Sequence, residues 1–173
     1  MKVVLLFSLL CFMIEAKFLQ RNLASLDLES LRNTMLIRHN SYRKEHKVSE
    51  LVRNTAIEAI AQEYSEQLAT SGQFKHSGNT FNGNPLGENL YMCWGTGVNG
   101  DSVVDTWYNE VKDYDFKNQG FSMNTGHFTQ VVWKGSKNLG CGVACQGSCI
   151  VTCNYFPAGN YLGQFESNVF PKA

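Results

Sequence analysis

"LGCGVACQGSCIVTCNYF", residues 139–156, decides the fold of this chain. Apolar residues and cysteines alternate with small or polar ones on both sides of Gln146-Gly147-Ser148, the pattern of two antiparallel strands around a tight turn. A three-residue loop places Cys141 opposite Cys153 and Cys145 opposite Cys149. Side chains alternate between faces along a strand, so the even spacing sets all four sulfurs on one face. The arrangement predicts at least one cross-strand disulfide; buried free thiols are the alternative.

Disulfides need an oxidising compartment, and the start of the chain points to one. Met1-Lys2 precedes the apolar run "VVLLFSLLCFMI" (3–14), and Glu15-Ala16 follows. A basic start, a short apolar core and a small residue at the cut predict a secretory signal peptide over 1–16. The run is too short for a membrane helix, which needs about 20 apolar residues. No later stretch has the length and apolarity of an anchor, so a secreted product is expected. Residues 17–29 read as an N-terminal extension and 30–170 as one domain. About 157 residues remain after cleavage, enough to bury roughly 70% of the unfolded surface. The formal net charge is zero, which argues against nucleic acid as a partner. Cys11 leaves with the signal, so Cys93 makes the remaining cysteines odd in number.

Ahead of the hairpin the period changes to that of helices. Leu28, Leu31, Met35, His39 and Tyr42 recur at spacings of three and four, one stripe of an amphipathic helix. Thr55 and Glu58 form a capping box for a second stripe, Ile57, Ile60, Ala61, Tyr64 and Leu68, with Gly72 as its stop. Residues 72–87, rich in Gly, Asn and Ser, read as loop. Val104, Trp107, Val111 and Tyr114 give a third helix capped by Asp101 or Ser102, and Thr125 caps a short fourth carrying His127 to Trp133. Helices on both sides of a small sheet are needed to cover these stripes. The expected fold is α+β, a three-layer α-β-α sandwich in a single domain.

Four histidines remain after the signal. His39 lies on an apolar stripe and reads as a core histidine. His46 sits among Lys44, Glu45 and Lys47 and reads as solvated. His76 in "FKHSG" and His127 in "NTGHF" lie beside turn-forming residues, where binding groups commonly sit on a scaffold. Glu88 in "GENL" and Glu110 in "WYNEV" are carboxylates among apolar neighbours, and such carboxylates need partners. Two imidazoles and two carboxylates can satisfy one another or hold a divalent ion such as zinc. Their spacing matches no local zinc motif, and four unrelated polar residues are the alternative. No G-x-S-x-G and no phosphate loop are present. "DYDFKNQGF" (113–121) interleaves aromatics with polar residues: Tyr114, Phe116 and Phe121 either belong to the core or line a groove for an apolar ligand.

"GHFTQVVWKGS" (126–136) and "IVTCNYFPAGNY" (150–161) resemble the two signature motifs of the CAP superfamily of cysteine-rich secretory, antigen 5 and plant pathogenesis-related class 1 proteins. "HSG", "GENL" and "WYNEVKDYDF" match its other blocks, in order, from about residue 30 to residue 170. "WYNEVKDYDFKNQGF" looks closest to the Golgi-associated and secreted yeast members. The resemblance implies that His76, Glu88, Glu110 and His127 converge in one cleft, where the histidines can hold zinc and the carboxylates support them. It maps the family's disulfide between the last two strands onto Cys141 and Cys153. It leaves Cys93 open: a bond to Cys145 or Cys149, or a dimer.

Secreted yeast relatives bind sterols, and their binding loop resembles "YDFKNQGF". The expectation is therefore a secreted, non-enzymatic protein that takes a small apolar ligand, a sterol or fatty acid, at Tyr114, Phe116 and Phe121, with a divalent metal at the tetrad. Two other functions remain open. One is a zinc-dependent hydrolase with Glu88 or Glu110 as general base; the other is an extracellular signalling or defence protein acting through its surface.

Overall fold

The computed structural model describes residues 28–95 and 97–172. The expected signal peptide, and nearly all of the expected N-terminal extension, lie outside the described residues.

The hairpin forms in the expected register. Strands β5 (Asn138–Gln146) and β6 (Ser148–Phe156) pair antiparallel, with Cys141 opposite Cys153 and Cys145 opposite Cys149. Both pairs are disulfides. Strand β4 (Gly87–Trp94) pairs with the other side of β6, and the short β1 (Val52–Arg53) runs parallel to β5, so the sheet order is β1-β5-β6-β4. Two further short strands, β2 (Thr80–Phe81) and β3 (Asn84–Pro85), form a ribbon inside the segment read as loop.

Helix α2 (Thr55–Ser71) covers one face. It buries Ile57, Ala61, Tyr64 and Leu68 of the expected stripe and leaves Ile60 half-buried. The cap differs from expectation: Asn54, not Thr55, takes the backbone N–H groups of Ala56 and Ile57 at 3.0 and 3.2 Å. Glu58 instead turns to Arg53, at 2.5 Å. Gly72 ends the helix in the left-handed region with φ 67°, where a glycine carries no Cβ penalty. The strand face beneath α2 has been emptied to admit it. A Cβ on Gly140 would lie 2.3 Å from the Glu58 nitrogen, and one on Gly142 would lie 2.3 Å from Gln62 backbone atoms. Helix backbone therefore rests on strand backbone, and Ser65 Oγ donates to Gly142 O at 3.0 Å across the contact.

The opposite face carries three helices: α1 (28–45), α3 (Gly100–Tyr108) and α4 (Gly126–Val131). Their core joins Met35, Val104, Trp107, Phe128 and Val131 to Cys141, Val151, Cys153 and Tyr155 of the sheet. Three layers in one domain result, with a short α5 (Phe165–Asn168) closing the chain. Helix α3 is shorter than its apolar stripe suggested. Asn99, rather than Asp101 or Ser102, caps it by accepting from Ser102 N at 2.9 Å. The backbone then tightens into a 3-10 turn over Asn109–Asp113, which leaves Tyr114 in extended conformation.

Two basic side chains at the C-terminal end of α1 are buried, and for one of them this departs from the reading of the sequence. His46, expected in solvent, is buried. Its Nε2 pairs with Tyr108 OH at 2.8 Å and its Nδ1 with Phe170 O at 2.5 Å. Its charged neighbours in sequence point outward while these remote partners enclose it. Arg43, also buried, donates to the carbonyls of Val131, Trp133 and Ser136 at 3.0, 2.9 and 3.1 Å. A cation there gathers carbonyls from the last residue of α4 and from the turn that follows it. His39 is the core histidine expected: its Nδ1–H donates to Met35 O and its Nε2 accepts from Tyr155 OH, both at 2.7 Å.

Candidate functional site

The site lies at the edge strand, where the two helical layers meet. Glu88 and Asn89 are adjacent on β4, so their side chains leave opposite faces of the sheet. Each grips a segment that carries a histidine.

Glu88 holds the segment after α2. Its Oε1 accepts from His76 Nδ1 at 2.8 Å and from Ser77 N at 2.9 Å. Its Oε2 accepts from Ser77 Oγ at 2.5 Å and from Asn154 Nδ2 at 3.3 Å. Burial pushes the Glu88 carboxyl up in pKa, but the bonds from His76, Ser77 and Asn154 outweigh it and hold the group below the usual carboxylate value. Its partner moves the other way: the Glu88 bond raises the His76 imidazole above its ordinary value, against the opposing pull of burial. The carboxylate is buried, at 6% side-chain exposure, and the imidazole is open, at 65%.

Glu110 holds the start of α4 from the 3-10 turn. Its Oε2 accepts from the backbone N–H groups of His127 and Phe128, at 2.9 and 3.0 Å, and its Oε1 accepts from His127 Nδ1 at 2.6 Å. Thr125 was the expected cap, yet its side chain makes no capping bond. The carboxylate takes that role because it meets two orphan N–H groups and the imidazole together. Asn89 Nδ2 fixes the same residue from the strand side by donating to His127 O at 3.1 Å. Trp107 lies parallel to the His127 ring, with centroids 6.3 Å apart, and donates its own N–H to Leu90 O at 3.0 Å.

The tetrad expected from the sequence is thus two His–Glu pairs. In each, the carboxylate acceptor fixes the proton on Nδ1 and leaves Nε2 of the neutral ring as a lone pair. His76, Glu88 and His127 line one cleft of about 90 Å³, with Phe121, Met123 and Asn160 among its other walls. Glu110 stands behind His127. Among the described residues no three His, Cys, Asp or Glu side chains converge as a ligand set. The protein therefore offers two imidazole donors here.

The three aromatics of the 113–121 segment take different positions. Tyr114 is buried, edge-on to Phe116 and Phe128 at 4.9 and 5.4 Å. Phe116 is half-buried against the same core. Phe121, 48% exposed, is the one that reaches solvent. Its ring walls both the histidine cleft and a second cavity of about 280 Å³ beneath the 113–122 loop.

Cys93 faces Cys149 across β4 and β6. A bond from Cys93 to Cys145 or Cys149 was among the expectations. The structure corrects it: those two pair with each other and Cys93 keeps its thiol. Sequence reasoning also passed over Asn89, Met123 and Asn160. The signal for Asn89 was its place beside Glu88 in "GENL", and for Asn160 its place in "IVTCNYFPAGNY"; Met123 lies in an irregular segment without a pattern to flag it.

Comparison with known proteins follows the same residues. A family model described as "CAP: Cysteine-rich secretory protein family" matches residues 36–155. Golgi-associated plant pathogenesis-related protein 1 of Homo sapiens is 43% identical over 148 residues, 83% of this chain and 94% of its own. Protein PRY2 of Saccharomyces cerevisiae is 42% identical over 81% of this chain, which spans only 41% of that longer protein. Among solved structures, NaASP2 with Zn2+ aligns with a TM-score of 0.63 and 26% identity, covering 84% of this chain and 87% of that one. No helix among the described residues is long and apolar enough to cross a membrane.

Proposed function

The chain belongs to the CAP family of cysteine-rich secretory proteins, and from that premise we propose that it is a secreted binding protein rather than an enzyme. It takes a small apolar ligand, a sterol or fatty acid, beside Phe121, and a divalent metal at the adjoining cleft. The observation that carries the ligand reading is the Phe121 ring. A half-exposed phenyl that walls two cavities keeps apolar area in water until something covers it. Tyr114 and Phe116 form the floor on which the segment rests.

The metal reading rests on the donor set. His76 and His127 would hold zinc through Nε2, with Glu88 and Glu110 orienting the rings from behind and water oxygens completing the coordination. Zinc supplies Lewis acidity when bound. The relative NaASP2 has been crystallised with Zn2+. Saturation of the carboxylates favours binding over hydrolysis. Glu88 accepts four hydrogen bonds and Glu110 three, so neither is placed as a free base for a water.

The test is binding of a fluorescent sterol or fatty acid to the purified protein and to Phe121→Ala. Phe116→Ala is the poorer variant, because Phe116 packs on the core and its loss would disturb the fold. Weakened binding with an unchanged thermal midpoint is the expected result. Equal binding by wild type and variant would remove Phe121 from the site.

A further inference from the structure

Three cysteines stand in one row across the sheet, well away from the histidine cleft. Cys149 on β6 faces Cys145 on β5 and, on its other side, Cys93 on β4. Residues in register across a sheet share a face. The row therefore sets the Cys93 thiol beside the Cys145–Cys149 disulfide. Cys93 Sγ lies 4.0 Å from Gly97 O and Cys149 Sγ lies 3.3 Å from Gly95 O, so both sulfurs sit against the residues that follow β4. The other disulfide of the hairpin lacks such a neighbour. Cys141–Cys153 is buried, and the third position in its row is Asn89.

The backbone gives the spacing of the row. Val143 N–H and C=O both bond away from β6, to Gln62, at 3.0 and 2.9 Å. Cys145, two residues on, turns its backbone the same way, so Cys145 and Cys149 are a non-hydrogen-bonded pair. Cys149 then turns its own N–H and C=O to β4, which makes Cys93–Cys149 a hydrogen-bonded pair with Cα atoms about 5.5 Å apart. That separation falls within the range of roughly 4.4–6.8 Å over which a disulfide closes.

Cys149 stands between the other two. A thiolate on Cys93 approaches it from the side opposite Cys145, the direction from which a sulfur leaving group is displaced. Cys149 is fully buried, out of reach of thiols in solution, whereas Cys145 at the hairpin tip is exposed and Cys93 half-buried.

We propose that Cys93, Cys149 and Cys145 form a thiol–disulfide exchange site that passes the free thiol to the hairpin tip, where it takes up a small disulfide. In the first step Cys93 Sγ bonds to Cys149 Sγ as the Cys149–Cys145 bond breaks, and the electron pair leaves on Cys145 as a thiolate. No electrons enter or leave the protein. In the second, the Cys145 thiolate attacks a low-molecular-weight disulfide, bonding to one sulfur and releasing the other half as a thiolate.

The experiment exposes the purified secreted protein to oxidised glutathione at mildly alkaline pH, quenches with acid, digests with pepsin without reductant and maps the sulfurs by mass spectrometry. The expected result is glutathione on Cys145 with Cys93 bonded to Cys149, and loss of that adduct in Cys93→Ser. Thiol titration of Cys145→Ser supplies a second readout: Cys93 and Cys149 should pair, leaving neither free. Glutathione on Cys93 alone with Cys145–Cys149 intact, or no adduct, would overturn the proposal. A Cys145 adduct that persists in Cys93→Ser would mean attack from solution and would overturn it too. Two free thiols in Cys145→Ser would show that the sulfurs do not meet, with the same consequence.

Discussion

On the face covered by α2, the sheet presents Gly140 and Gly142, and the helix backbone rests directly on them. On the other face it presents Cys141, Val151 and Tyr155 to a layer of large side chains, Trp107, Phe128 and Met35, with His39 buried among them. One face is packed by deleting side chains and the other by interlocking big ones around satisfied polar groups. The difference decides where a cleft can form. The α2 contact is too close to admit a cleft between helix and sheet. The thicker layer is built from rings and hydrogen bonds, and it places Trp107 and Glu110 against His127. Only at the β4 edge, through Glu88 on one side and Asn89 on the other, do the two layers reach the same space.

The largest effect should come from breaking the close contact. Gly142→Val puts a side chain where only 2.3 Å separates a Cβ from the Gln62 backbone. Overpacking of this kind costs about 3 kcal/mol, which urea denaturation would show as a lower midpoint. An unchanged midpoint would mean that α2 has room to lift.

The opposite face should answer to acid rather than to bulk. Burial lowers the His39 imidazole to about 4 from an ordinary 6.5. The folded protein therefore holds His39 neutral while the unfolded chain takes a proton, so stability is full above pH 6.5 and falls as pH drops towards 4. A span of that size corresponds to about 3 kcal/mol at 1.4 kcal/mol per unit. His46 is shifted the same way by its burial. Denaturation midpoints from pH 7 to pH 4 should decline, and His39→Gln should flatten the decline. A variant that keeps the full slope would place the titrating group elsewhere.

These two faces were not equally legible in the sequence. The hairpin register followed from alternation and a tight turn, both local, and it forms as read. Gly140 and Gly142 carry no local mark of a close approach; only the helix laid on them gives them meaning. His46 misled because its sequence neighbours are charged, whereas its burial comes from Tyr108 and Phe170 far along the chain. The four site residues carry chemistry that spacing alone did not join. Their resemblance to family blocks gathered them, and the strand alternation at Glu88 and Asn89 is the physical reason they meet. Glu110 was expected as a partner for histidine; its second role, capping α4, depends on the 3-10 turn, which no periodicity announced.

A smaller effect should follow from Glu110→Gln. The amide keeps an acceptor for the α4 N–H groups but gives up the charge, so about 1 kcal/mol of stability should go. Zinc affinity should fall about tenfold or more, as for other lost partners of metal-binding histidines. Calorimetry and thermal unfolding on one preparation read both. Loss of stability without loss of zinc affinity would confine Glu110 to capping.

The most direct test is zinc titration of the wild type, His76→Gln and His127→Gln by calorimetry. One histidine lies in the segment after α2 and the other in α4, so a shared site predicts one zinc per chain, lost in either single variant. Zinc binding that survives intact in either variant, or none in the wild type, would contradict the account.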